Sequence, residues 1–243
     1  MSKKIMTKIG KALHDYQMIE PNDKIAIGVS GGKDSLVLAY AMGRLRHYYP
    51  VNFDIVAIHL EMGFPDMDFT ELRTFMAQEN IEYHDIPTQV YEILQKNLDA
   101  SGRLRCSLCS KFKKALVIEA ANNLNCNKVA FAHHGDDAVE TLFLNAIFGG
   151  KLATFRPKMY MSKTAMTFIR PLVYLREAEI TAFTIGEKLP IVKSTCPNDG
   201  FTKRQEVKEL LNLLYLDYPC AYENFLIMLS NTDKVDLWEK IDD

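Results

Sequence analysis

A chain of 243 residues that is 48% apolar and 25% charged, with a formal net charge of −2, reads as one globular domain or a domain with a small annex. No apolar run approaches the roughly 18 residues of a membrane-spanning helix. The amino terminus has lysines but no apolar signal-peptide core, so a cytoplasmic protein is expected. Five cysteines are an odd count, which points to metal or redox chemistry and away from a disulfide frame.

Along the chain, Ile5, Ile9, Leu13 and Tyr16 share one face of a predicted helix over 3–19, which "EPND" ends. "KIAIGV" (24–29) is a β-rich apolar run suited to a buried parallel strand, and 34–47 follows as a helix. A second strand over 53–60, a helix over 69–79, a third strand over 81–86 and a helix over 88–97 come next. Beyond a cysteine pair, 113–124 is helical, 128–134 is a fourth strand and 136–148 a helix. "MTFIRPLVYL" (166–175) reads as a last strand running into a loop, 176–189 as a helix and 190–204 as a loop. Two helices, roughly 204–217 and 220–239, close the chain. Strands alternating with helices predict an α/β fold: a parallel, twisted sheet with helices on both faces and a C-terminal helical extension. The organisation expected is an N-terminal helix over 1–20, a main domain over 21–195, and a cysteine loop with helices over 196–243 packed on that domain.

The segment "GVSGGKDS" (28–35) joins the first buried strand to the helix after it. It lacks both the G-x-x-x-x-G-K-[ST] spacing of a γ-phosphate loop and the dinucleotide pattern G-x-G-x-x-G. Gly31 and Gly32 let successive backbone N–H groups turn inward as an anion nest, and the helix N-terminus adds partial positive charge. Ser30 and Ser35 offer hydroxyls and Lys33 a cation, whereas Asp34 would repel bare phosphate and so implies Mg²⁺ or a helix cap. Two glycines alone would be an ordinary strand-to-helix turn. The whole hexapeptide at the carboxyl end of a buried strand favours a phosphate site.

"HHGDD" places His133, His134, Asp136 and Asp137 at another strand-to-helix junction. If that strand neighbours the first, both junctions face one crevice at a topological switch point, where Asp136 or Asp137 could hold Mg²⁺ or act as a base. The alternative is an N-capped helix with two exposed histidines.

Cys106 and Cys109 form C-x-x-C, which fits a redox dithiol, a zinc half-site or an iron–sulfur half-site. Cys196, in the polar loop "STCPNDG", is the best third ligand, and no good fourth exists. Three cysteines with one open position suit a four-iron, four-sulfur cluster. Cys126 and Cys220 read as buried small apolar residues. Charge is unevenly spread: residues 1–11, 101–114 and 149–170 hold four, five and five basic residues and no acid. One such block is ordinary solvated lysine; three, one of them around the cysteine pair, point to a polyanionic partner.

The succession S-G-G-K-D-S, C-S-L-C-S, H-H-x-D-D-x-x-x-T-L-F-L-N, G-G-K and I-R-P-L resembles the tRNA 2-thiocytidine synthetase family (TtcA-type) of PP-loop, N-type ATP pyrophosphatases, over roughly residues 3–230. The resemblance implies an adenine nucleotide alpha hydrolase-like fold and ATP, with Mg²⁺, over the loop 30–35, with His59, His133 and Arg170 completing the nucleotide site. It implies Cys106, Cys109 and Cys196 as ligands of a 4Fe-4S cluster, and similarity to a related tRNA thiolase family implies Lys113 and Asp136 as catalytic, with Asp137 the alternative carboxylate; the other reading of Lys113 is an RNA-phosphate contact or a solvated helix lysine. The reaction implied is adenylation of the 2-oxo group of a tRNA pyrimidine, cytidine preferred, with release of pyrophosphate, after which sulfur displaces AMP. The partners implied are tRNA and a persulfide or sulfide source, in a homodimer that needs no membrane. One departure is that the family's third ligand commonly lies in C-N-L-C, whereas "STCPNDG" has a single cysteine. The rival readings are a lysidine-synthetase-like or small-molecule ATP pyrophosphatase without a cluster, and a nucleotide-binding or redox-sensing module.

Overall fold

The structure is a computed structural model that describes residues 2–198, 200, 202–234 and 237. In chain order it contains α1 (Ser2–Asp15), β1 (Asp23–Gly28), α2 (Lys33–Leu45), β2 (Phe53–Glu61), α3 (Thr70–Gln78), β3 (Glu82–Pro87), α4 (Val90–Gln95) and α5 (Cys106–Asn123). There follow β4 (Lys128–Ala130), α6 (Gly135–Gly149), β5 (Lys158–Met161), β6 (Met166–Ile169), α7 (Glu177–Gly186), α8 (Lys203–Asp217) and α9 (Ala221–Ser230). The chain forms two compact units, Met1–Asp136 with Arg156–Phe201, and Asp137–Phe155 with Thr202–Asp243.

The first unit holds one sheet of order β3-β2-β1-β4-β6-β5, parallel throughout except for β5, which pairs antiparallel with β6. Ile25, Ala26 and Ile27 of β1 are fully buried, as a central strand covered on both faces requires. On one face Ala26, Val56, Ile58 and Phe168 pack with Val90 and Leu94 of α4 and Val117 and Ala121 of α5. Helices α1, α2 and α7 pack together, with α2 against β1 and β2. The chain runs outward through β2 and β3, then returns along α5 to lay β4 against the other side of β1, with Ile27 opposite Ala130. That reversal is the topological switch point, where the carboxyl ends of β1 and β4 part and leave a crevice.

At the amino ends of the same two strands, Lys128 Nζ lies 2.7 Å from Asp23 Oδ2. Both side chains are buried, at 4% and 2% exposure. Asp23 also accepts from Glu20 N–H at 2.6 Å and from Asn127 Nδ2 at 2.7 Å, and Lys128 donates to Met18 O at 3.1 Å. The connection out of α1 is thereby fastened to β1 and β4.

In the second unit Val139 of α6 and Val207 and Leu211 of α8 form a small core, with Phe143, Tyr215 and Phe225 packed against it. Arg204 Nη1 lies 3.3 Å from Asp137 Oδ1 and 3.2 Å from Glu140 Oε2. Among the described residues no helix is long and apolar enough to cross a membrane.

Several expectations are corrected, among them the burial of Cys220, which is exposed, whereas Cys126 is buried. Helix α5 starts at Cys106, so the cysteine pair lies in its first turn and not ahead of it. Its start carries no sequence signal, because Arg105 at the N-cap makes no side-chain cap and the first turn has no acid. The fourth strand spans Lys128–Ala130 and stops short of the histidines, after which Phe131 N–H still reaches Ile169 O at 3.0 Å. The β5–β6 hairpin was not expected, since its turn uses Ala165 at φ +50° in place of a glycine or asparagine. Helix α9 ends at Ser230, and residues 235, 236, 238 and 239 of the helix expected there lie outside the described residues.

Candidate active site

The phosphate loop leaves β1 and enters α2 through Gly31 and Gly32. Gly31 has φ +82°, and a Cβ there would lie 2.8 Å from Cβ of Val192, whose N–H donates to Gly31 O at 3.0 Å. Ser35 Oγ accepts from Ser30 N–H at 3.2 Å and donates to Gly32 O at 2.9 Å. Ser30 Oγ accepts from Gly32 N–H at 3.3 Å. The two hydroxyls thus brace the loop from inside. Gly32 caps α2 with extended backbone and no side-chain cap, so the helix N-terminus keeps donors for an anion.

Three helix N-termini meet beside this loop. Lys33 Nζ lies 3.1 Å from Asp34 Oδ1 and 3.0 Å from Glu177 Oε1 at the start of α7. Burial alone would lower the Lys33 pKa, but Asp34 and Glu177 outweigh it and raise it. Asp136 Oδ2, at the start of α6, accepts from Glu177 N–H at 2.8 Å and lies 3.5 Å from His134 Nδ1. His134 Nε2 lies 3.8 Å from Asp34 Oδ1. Burial opposes ionisation of Asp136, yet His134 and the Glu177 N–H hold its carboxyl below the usual carboxylate range. Asp136 is therefore an anion at neutral pH, suited to ligating a cation or orienting a partner more than to taking up a proton.

A cleft of about 840 Å³ opens from this loop at the carboxyl ends of the strands, a size suited to a nucleotide. Ser30, Gly32, His59, Cys109, Lys113, His133, Arg170 and Cys196 all line it. His59 Nδ1 is 2.8 Å from Val29 O, and a carbonyl can only accept, so Nδ1 carries the proton. Its Nε2 is a buried acceptor without a hydrogen-bond partner, and the ring lies 4.0 Å from that of Phe69. Burial pushes the His59 pKa down, which keeps the ring neutral. Burial also lowers Arg170 to about 10, still cationic at neutral pH, and its Nη1 donates to Arg156 O at 2.6 Å.

At the far end of the cleft, Cys109 and Lys113 lie one helical turn apart on α5, and Cys196 faces them from the loop after α7. Burial pushes the Cys109 thiol up, Lys113 pulls it down, and the neighbouring Cys196 and Cys106 thiols add to the rise. All three cysteines are free thiols. Among the described residues no three His, Cys, Asp or Glu side chains converge as the ligands of a single metal ion would. The donor chemistry suits a group with several thiophilic metal atoms more than a single ion: three thiols that ligate as thiolates, with an Asn198 amide 3.2 Å from Cys106 Sγ.

Most of the expected site residues therefore meet in the first unit. Gly31, Lys33, Asp34, Ser35 and Asp136 lie in or beside the loop, and Cys106 lies one turn before Cys109. Asp137 falls in the second unit, engaged by Arg204. Glu177, Val192 and Asn198 escape a sequence reading because their partners are remote; Glu177 is 144 positions from Lys33, and Asn198 is 92 from Cys106.

The PP-loop domain family matches residues 1–212. The tRNA-cytidine(32) 2-sulfurtransferase of Pelobacter propionicus is 38% identical over 231 residues, covering 94% of this chain and 86% of that protein. The tRNA-cytidine(32) 2-sulfurtransferase of Geobacter sulfurreducens is 35% identical over 231 residues, covering 94% and 90%. Among solved structures, the U34-tRNA thiolase NcsA from Methanococcus maripaludis with its 4Fe-4S cluster shares the fold at a TM-score of 0.76 and 24% identity, covering 96% of this chain and 79% of that one. An NMN synthetase from Francisella tularensis shares it at a TM-score of 0.53 and 17% identity, covering 100% and 99%. The phosphate loop, the switch-point cleft and identity above a third across nearly the whole length agree: the chain belongs to the PP-loop family and, within it, to the tRNA-cytidine(32) 2-sulfurtransferases.

Proposed function

We propose that this protein is a tRNA sulfurtransferase that replaces the 2-oxo group of a cytidine in tRNA with sulfur at the expense of ATP. The observation that carries the reading is that one cleft is lined both by Ser30 and Gly32 of the phosphate loop and by Cys109 and Cys196. The carbonyl oxygen of the base attacks the α-phosphorus and pyrophosphate leaves. Sulfide then attacks C2, and the C–O bond breaks with AMP carrying off the original oxygen.

The chain's own groups serve both halves. Lys33 and Arg170 balance the charge of the polyphosphate, the N-terminus of α2 and the Ser30 hydroxyl donate to it, and Ser35 braces the loop that holds it. Lys33 is held ready by Glu177, 3.0 Å away, and is released to phosphate when ATP arrives. Asp34 and Asp136 supply carboxylates for Mg²⁺. His59 and His133 border the nucleotide, with His59 Nε2 accepting a hydrogen bond from it. Lys113, on the cleft wall, opposes the negative charge that develops as C2 becomes tetrahedral. Asp137, 3.3 Å from Arg204, is the second carboxylate at the start of α6. Cys106, Cys109 and Cys196 would hold a 4Fe-4S cluster, which would supply the sulfur-transfer chemistry when bound. Exposed Arg103, Arg105 and Lys111 rim the cysteine end and receive the tRNA backbone.

We infer a cytoplasmic site of action, a persulfide or sulfide source as sulfur donor, and a homodimer. Apolar side chains left exposed in the second unit, Leu213 at 63%, Leu216 at 77% and Ile227 at 58%, support the last. Anaerobically reconstituted protein, given unmodified tRNA, ATP and sulfide, should release one AMP and one pyrophosphate per 2-thiocytidine formed, measured by nucleoside mass spectrometry. Pyrophosphate release that depends on an amino acid and not on sulfide would instead place the protein with lysidine synthetases.

A further inference from the structure

Asn198 lies two residues beyond Cys196 on the loop after α7 and is only 9% exposed. Its Nδ2 is 2.5 Å from Leu104 O and 3.2 Å from Cys106 Sγ. A carbonyl oxygen can only accept, so the NH₂ end of the amide must face Leu104. That group has two hydrogens, and the second points to the sulfur. Cys106 Sγ has a second, longer approach to Leu104 O, at 4.0 Å, which only a protonated thiol could use as a donor. Once the thiol is deprotonated for ligation, the Asn198 amide is the hydrogen-bond donor left to it among these contacts.

We propose that Asn198 is a positioning residue for the sulfur centre: its amide donates an N–H···S hydrogen bond to the Cys106 thiolate and fastens the loop carrying Cys196 to the start of α5. The inference rests on the cluster reading given above. Two consequences separate it from a purely structural role for a buried asparagine. A donor to a cysteinate sulfur withdraws electron density and favours the more negative, reduced cluster, so it raises the reduction potential. It also places one exchangeable proton close to the cluster's spin.

The test compares the full chain with Asn198→Leu, which has similar volume and no donor, and with Asn198→Gln, which keeps the amide. Each is reconstituted anaerobically with iron and sulfide, titrated under EPR, and examined by pulsed EPR after exchange into D₂O. The Leu variant should be about tenfold harder to reduce, ~59 mV for a one-electron couple, and should lose one exchangeable deuteron coupling. The Gln variant should move back toward the unaltered protein. A Leu variant that binds ATP normally yet retains no cluster supports the positioning role if the Gln variant retains it, and loss of the cluster in both overturns that role. If the Leu variant does not fold, Asn198→Ala provides the same comparison without added bulk. A potential within about twofold of the unaltered equilibrium, with the deuteron coupling intact, overturns the inference. Failure of the unaltered protein to take up a cluster overturns the cluster reading itself, and this inference with it.

Discussion

Gly31 shows how one residue type can be dictated twice at a functional position. Its φ of +82° is a conformation that residues with a Cβ adopt at a cost of about 1–3 kcal/mol, and the added carbon would meet Val192 at 2.8 Å. Gly31→Ala should weaken ATP binding about tenfold or more, measured by titration calorimetry, without unfolding the sheet. Lys113 is expected to divide the reaction differently. Lys113→Ala should leave ATP affinity unchanged and lower thiolation about 10²-fold, as loss of one charge-stabilising group does elsewhere; an equal loss of both would make it a nucleotide-binding residue. His59 sets a pH dependence. Its folded pKa lies below the usual 6.5 because burial disfavours the charged ring, so the unfolded chain takes up its proton first as pH falls. The stability associated with neutral His59 is fully present above about pH 6.5 and declines as pH drops toward the lower, folded value. Urea unfolding between about pH 7 and pH 5 should show that slope, and His59→Gln should flatten it.

At the scale of elements, the strands β1 and β4 carry both the site and its foundation. Their carboxyl ends hold the loops, and their amino ends hold the buried Asp23–Lys128 pair. Lys128→Ala leaves the Asp23 carboxylate buried without its cation, and should destabilise the first unit by about 3–5 kcal/mol in chemical denaturation. Lys128→Met with Asp23→Asn should be milder, since no buried charge remains. The loop after α7 joins the two ends of the chemistry. Val192 rests on the phosphate loop, Thr195 Oγ1 donates to Pro65 O at 2.8 Å, and Asn198 reaches α5. How far these elements can be read from sequence follows from where their determinants lie. β1 and the loop into α2 are legible because a buried apolar run and the glycines that must follow it are adjacent. The start of α5 is not, because its N-cap is Arg105, which makes no side-chain cap, and its first turn has no acid. β5 is hidden because Ala165 takes a positive φ without a turn residue to announce it. Glu177 and Asn198 are ordinary polar residues until the fold brings them to Lys33 and Cys106.

Across the whole molecule, the three basic blocks prove unequal. In the first, Lys8 lies 2.7 Å from Glu179 and Lys11 pairs with Asp15, so α1 spends much of its charge within the first unit. In the third, Lys158 pairs with Glu20 at 2.9 Å. In the block at 101–114 Arg103 lies 3.9 Å from Asp99, while Arg105, Lys111 and Lys113 are exposed around the cysteine pair with no acidic partner among the described residues. Reversing Arg105 and Lys111 to glutamate should therefore weaken tRNA binding and its salt dependence while sparing ATP binding, as filter binding at two salt concentrations would reveal. In the proposed reaction one cleft activates a tRNA cytidine with ATP and delivers sulfur to it from its cysteines. The most direct test is mass spectrometry of tRNA nucleosides from cells lacking this gene, complemented with the unaltered protein or with Cys106→Ala. 2-Thiocytidine should disappear, return with the unaltered protein and stay absent with Cys106→Ala. Persistence of 2-thiocytidine without the gene, or its full return with Cys106→Ala, would contradict that reaction.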